Sequence, residues 1–309
     1  GGPVVRSCRS EGLKRIKERE VLIEMEEKKS RSQVVTILKA LSRNRMAVLG
    51  LVILIILLFT GIFAHVIAPY DFAKQNLADA FQHPSPSHIF GTDEFGRDIF
   101  SRVVYGARMS LLVGFVSVGI AVIIGGVLGA IAGYYGRRVD NLIMRFMDVL
   151  LAVPQTLLAI AIVAALGTGL MNLLIAVGIS SVPTYARIVR ASVLTIREEE
   201  YIEAARASGT SNTKIIIKHI LPNCVAPVIV QVTLGIAGAI LTAAGMSFIG
   251  LGIQPPNPEW GNMLSSGRDY IRGYAYMTMF PGLAIVITVL SLNLLGDGLR
   301  DALDPKLRN

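Results

Sequence analysis

Five tracts of this chain run for nineteen or more residues without a charged side chain, and they restrict the fold more than any other feature. Met46 to Ala64 is uncharged for 19 residues, close to the ~20 that a helix rising ~1.5 Å per residue needs to cross a ~30 Å hydrocarbon layer. Met109 to Gly136 supplies a second such tract, and Val149 to Ala186 a third that is too long for one crossing and is interrupted at Gly167-Thr168-Gly169. Cys224 to about Gly250 and Tyr274 to Gly296 complete the set. Backbone amides in hydrocarbon must be satisfied within the segment, so tracts of this length are expected as helices. The expected architecture is an all-α polytopic membrane protein with six transmembrane helices, at about 46–67, 107–135, 142–166, 170–190, 223–250 and 275–298. A cleaved signal peptide fits the first tract less well: it begins deep in the chain, its apolar core is long, and no small-residue cleavage site follows.

Composition supports the bilayer as solvent: 52% of residues are hydrophobic and 17% charged, with a mean hydropathy of +0.57. Global disorder is excluded by that balance, and a disulfide scaffold by two distant cysteines, Cys8 and Cys224. A net charge of +8 invites a nucleic-acid reading until the cations are placed. Twelve Lys/Arg lie in residues 1–45, and with those at 137–145, 187–218 and 300–308 they place 24 of 30 on one face of a six-helix topology. The six on the other face are Lys74, Arg97, Arg102, Arg108, Arg268 and Arg272. Cytoplasmic loops are enriched in Lys and Arg, so this split predicts both termini in the cytoplasm of an inner-membrane protein and removes nucleic acid from the partners. Residues 1–45 are expected as a basic cytoplasmic tail, either amphipathic on the lipid surface between Leu13 and Leu41 or solvated; its first residues, from Gly1, carry no functional weight. Residues 46–309 are the membrane domain.

Catalytic patterns are missing from the sequence. His65, His83, His88 and His219 are scattered without metal-ligand spacing, no nucleophile elbow occurs, and no phosphate-binding Gly-x4-Gly-Lys loop is present. The chain is expected to be no enzyme and to hold no metal or cofactor. Polar residues inside the expected helices, Gln155, Asn172, Gln231 and Asn293, are candidates for lining a pathway or for bonding helices together. Gly125, Gly129 and Gly133 form a small-xxx-small face expected to pack a neighbouring helix, or merely to tolerate lipid. Arg145 with Asp148 and Asp297 with Arg300 have the spacing for pairs on one helix face. Trp260, the sole tryptophan, follows Pro255-Pro256-Asn257-Pro258 and is expected as an interfacial anchor or as part of a docking rim for an external protein.

The segment 191–222 differs from an ordinary turn. Acidic residues precede a short helix pattern, Gly209 suits a left-handed cap, Ser211 to Thr213 suit a new helix start, and Ala204, Ala205 and Ala207 offer a small-residue face. Glu203-Ala204-Ala205, Gly209 and Leu221-Pro222 resemble the EAA loop of ABC-importer permeases. His219-Ile220-Leu221-Pro222-Asn223, the run Gly91 to Arg102 with Tyr105-Gly-Ala-Arg108, and the run Ser247 to Gly261 resemble the second permease subunit of dipeptide, oligopeptide and nickel importers. The resemblance covers about residues 35–305. It implies a type I ABC importer permease fold and half of a translocation pathway for di- or oligopeptides, with nickel or a nickel chelate as the alternative cargo. It also implies these partners: a second homologous permease, two cytosolic ATP-binding subunits that hold ATP and Mg, and an extracytoplasmic substrate-binding protein. Glu203, Ala204, Ala205, Arg206, Gly209, Thr210 and Ser211 are carried over as the ATPase-coupling element. A stand-alone secondary carrier and a membrane anchor for cytosolic partners are the competing readings; a carrier would need mid-membrane carboxylates and an internal inverted repeat, which are not evident.

Overall fold

The computed structural model describes residues 39–303, so most of the basic tail lies outside the described residues. Helix α1 (Arg45–Ile62) starts on Asn44, whose side chain accepts from the amides of Met46 and Ala47, and a single turn (Ala64–Ile67) continues it. Helix α2 (Ile99–Tyr135) starts on Asp98, which accepts from Ser101 N at 2.7 Å. It begins eight residues before the expected boundary, and its 37 residues span ~55 Å, so it projects well beyond a hydrocarbon layer. Gly136, at φ 62°, ends it.

The expected single helix over 142–166 is instead two: α3 (Arg137–Leu151) and α4 (Gln155–Leu166), bent by 87°. Pro154 is the cause, because it cannot donate to the ladder and disfavours helical backbone at Val153. Charge count conceals this break, since Ala152, Val153 and Pro154 are all apolar. Helix α5 (Leu170–Ile196) follows a tight turn through Gly167 and Gly169, both at positive φ, and runs six residues past its expected end. Next come α6 (Glu200–Ala207), one turn of α7 (Asn212–Ile215), a π segment (Ile216–Ile220) and a 3₁₀ turn (Leu221–Cys224) leading directly into α8 (Val225–Phe248). A short α9 (Trp260–Gly267) and the long α10 (Tyr276–Leu303) complete the described chain. Five helical stretches are long and apolar enough to span a bilayer, and six if the bent pair counts as one span.

Helices α2 and α5 form the most extensive pair. Gly125, Gly129 and Gly133 lie on that seam against Val182, Ala186 and Val193 respectively. At the other end of the bundle, residues 68–98 and 250–275 fold into a cap. Asp93 bonds Arg97 Nε at 2.7 Å and lies 3.6 Å from Arg102 Nε, His88 Nδ1 meets Asp98 at 2.9 Å, and Phe90 stacks on Phe280. Trp260 is neither lipid-facing nor on a rim: it is 1% exposed, donates Nε1–H to the Val103 carbonyl at 3.0 Å, and lies over Gly106. Glu259 precedes it as the cap of α9, accepting from the amides of Gly261 and Asn262, and its burial raises the carboxyl above its ordinary range.

The expected same-helix ion pairs do not form. Asp148 instead meets Arg187 Nη2 at 2.6 Å, and Asp140 meets Arg190 Nη2 at 2.6 Å, so both join α3 to α5. Asp148 is taken up by the arginine that α5 brings across, while Arg145 is exposed and makes no ion pair among the described residues. Asp297 and Arg300 are both exposed and make no ion pair with each other.

Candidate functional site

The segment between α5 and α8 is a capped and packed corner, and its shape originates in local sequence. Gly209 takes φ 78° one residue past the Ser208 cap of α6. Gly209 N–H donates to Arg206 O at 3.0 Å and Thr210 N–H to Ala205 O at 3.1 Å, the two bonds of a Schellman termination. Ser211 occupies the capping position of α7, although its hydroxyl makes no capping bond. Three isoleucines point inward: Ile202, Ile215 and Ile220 are each fully buried with Val189, Val193, Tyr134 and Cys224. With those side chains turned in, Glu203, Ala204, Arg206, Ala207 and Gly209 are turned out, while Ala205 and Thr210 are half-buried. A methyl group built at Gly209 would meet nothing within 4 Å, so the space beside it is open.

Tyr134, at the end of α2, joins the corner to the bundle. Its hydroxyl donates to Asn212 Oδ1 at 2.8 Å, and the Arg206 guanidinium sits 5.2 Å above its ring. Arg197 Nη1 donates to Gly133 O at 2.9 Å beside it. No sequence pattern singled out Tyr134; its only signal was an aromatic residue just before the Gly136 that ends a helix.

The mid-helix polar residues separate into two groups. Gln155 and Gln231 line one cavity of about 260 Å³ between α4, α5 and α8, where Gln155 Nε2 donates to Ser181 Oγ at 2.9 Å. The bend at Pro154 puts Gln155 there, on the first turn of α4. A wider groove of about 500 Å³ adjoins it, sharing Gln231 and Leu234 and reaching Arg300. Asn172 does not reach the cavity: its amide donates to the carbonyls of Leu166 and Gly167 and closes the α4–α5 turn. Asn293 is half-buried on α10 and lines neither space.

The profile described as "Binding-protein-dependent transport system inner membrane component" matches residues 125–309, and that described as "N-terminal TM domain of oligopeptide transport permease C" matches residues 32–84. The chain is similar to the dipeptide transport system permease protein of Alkalihalophilus pseudofirmus, at 53% identity over 88% of this chain and 89% of that one. It is 47% identical to the di/tripeptide transport system permease protein of Pseudomonas aeruginosa, over 88% of this chain and 91% of that one. It is 49% identical to the glutathione transport system permease protein of Escherichia coli, over 86% and 88%. Among solved structures, the inward-facing MetNI methionine ABC transporter aligns with a TM-score of 0.54 at 21% identity, covering 66% of this chain and 96% of that chain. The likeness supports the type I permease fold.

Proposed function

The chain belongs to the family of binding-protein-dependent transport system inner-membrane components, and from that premise we propose that it is the peptide-carrying half of an ATP-driven import pathway. It is a multi-pass, non-catalytic permease subunit of an ABC importer, and hydrolysis of ATP belongs to other subunits. In this reading two ATP-binding subunits dock beneath the 191–222 corner, a second permease completes the pathway, and an external binding protein delivers cargo at the cap. Both termini lie on the ATPase side. Di- or oligopeptides are the cargo that the relatives favour, ahead of nickel.

The observation that carries the coupling reading is the division of labour in the corner. Its isoleucines anchor it to α2 and α5 while Glu203, Ala204, Ala207 and the open side of Gly209 remain free for a partner backbone. Shifting a two-state transporter almost completely between orientations needs about 5 kcal/mol of differential binding, which only a stiff connection can transmit. The test is Gly209→Asp in the complex reconstituted in proteoliposomes: ATP hydrolysis continues while uptake per ATP collapses. Normal uptake by this variant would overturn the assignment of Glu203, Ala204, Ala205, Arg206, Gly209, Thr210 and Ser211 as the coupling element.

A further inference from the structure

We infer that the cavity between α4, α5 and α8 is a transit site that holds the substrate's peptide groups by neutral hydrogen bonding and does not discriminate its side-chain charge. The inference rests on the peptide-import reading above and assigns chemistry to a place within it. The cavity's polar lining consists of Gln155, Ser181, Thr184, Tyr185, Gln231 and Thr242, and no Asp, Glu, Lys, Arg or His of the described residues borders it. A peptide group presents one N–H donor and one C=O acceptor, and a glutamine amide presents both complements, whereas a carboxylate or ammonium presents only one.

The lining is also only partly used by the protein itself. Gln155 is held by Ser181, and the Tyr185 hydroxyl donates to the backbone carbonyl of Gln231 at 3.3 Å, which orients Gln155 and Tyr185 and leaves the Gln231 side chain unused. Among the described residues, the side chains of Gln231, Thr184 and Thr242 make no hydrogen bond within the chain, although each is half-buried. Gly238 adds an open stretch of backbone to the wall, with nothing within 4 Å of where a methyl group would sit. Gln231 and Thr242 are eleven residues apart on α8, ~16 Å, so the unused groups are spread along half a membrane thickness. A deep charge would bind one class of side chain tightly and repel another; neutral groups at intervals hold every peptide weakly enough to release it.

The test introduces charge. Three tripeptides, Ala-Ala-Ala, Ala-Lys-Ala and Ala-Glu-Ala, are imported by the reconstituted complex at saturating loaded binding protein, so that the maximal rate reports transit and not capture. In the wild type the lysine and glutamate peptides move at rates within about twofold of each other. Gln231→Glu raises the lysine-to-glutamate ratio about tenfold, and Gln155→Lys, which can still donate to Ser181 Oγ, moves it in the opposite direction. Gln231→Asn retains the wild-type ratio. A structural role alone would lower all three rates together. Ratios that stay within twofold of wild type in an assembled, ATP-hydrolysing Gln231→Glu or Gln155→Lys complex overturn the inference while leaving peptide import intact. Failure of the wild type to import any tripeptide, with its binding protein loaded, would overturn the import reading on which it rests.

Discussion

Replacing Gly125 by alanine should destabilise the bundle, whereas the same replacement one residue later should not. A Cβ at Gly125 would lie 2.6 Å from the Val182 carbonyl oxygen and 2.9 Å from the Ala186 amide nitrogen, both backbone atoms of α5. Ordinary van der Waals contact begins at 3.4 Å, so α2 and α5 must separate by about 0.8 Å along their longest seam. Overpacking of this kind costs ~1–3 kcal/mol. Gly126 is the internal control, since a Cβ there meets nothing within 4 Å. Both variants gain the same ~1 kcal/mol of helix propensity, which cancels in the difference. Gly125→Ala is therefore expected to be ~1–3 kcal/mol less stable than Gly126→Ala, a gap of roughly 2–6 °C in unfolding midpoint for a chain of this size. Buried Cys224 supplies the assay: in a Cys8→Ser background its thiol reacts with a fluorogenic maleimide only as the full-length chain unfolds in detergent. Midpoints that agree within a degree would refute the claim that the α2–α5 seam requires glycine.

Tyr134→Phe keeps the ring beneath Arg206 and removes the bond to Asn212, so amides of residues 200–215 should exchange several-fold faster at an unchanged global midpoint. Equal exchange would mean that the hydroxyl does not hold the corner. Trp260→Ala should cost ~3–5 kcal/mol by the Cys224 assay, as befits a fully buried side chain; a loss below 1 kcal/mol would restore the interfacial reading. Burial raises the Glu259 carboxyl above its ordinary 4.5, so the folded state holds this proton more tightly than the unfolded one. Its contribution is then fully present below pH 4.5 and lost as pH rises through the folded value, and Glu259→Gln should flatten that dependence while keeping one of the two cap bonds to α9. A variant as pH-sensitive as wild type would exclude Glu259 as the source.

How much was legible in the sequence depended on whether the responsible forces act locally. The spans followed from hydrocarbon thickness and from runs of uncharged residues, and the Gly209 turn followed from glycine's freedom at positive φ, both properties of short windows. The family resemblance was legible too, because its motifs are contiguous. The bend at Pro154 was local as well, but uncharged length masked it.

Other features required distant segments to meet. Trp260 looked like an anchor beside a proline run, and only the arrival of Gly106 and Val103 from α2 made it a buried core residue. Asp148 had a same-helix arginine at suitable spacing, yet α5 brought Arg187 closer. Gln155 and Asn172 were equivalent in sequence; the bend set one into a cavity, and the turn spent the other on two carbonyls. Sequence alone thus determined that this is a helical membrane protein with a capped corner at 191–222, because solvent partitioning and backbone conformation are decided residue by residue; that it is a permease came from the resemblance of its contiguous motifs. Which polar groups are used up and which stay available to a passenger was decided only by the tertiary structure, because a hydrogen bond depends on what else arrives within about 3 Å.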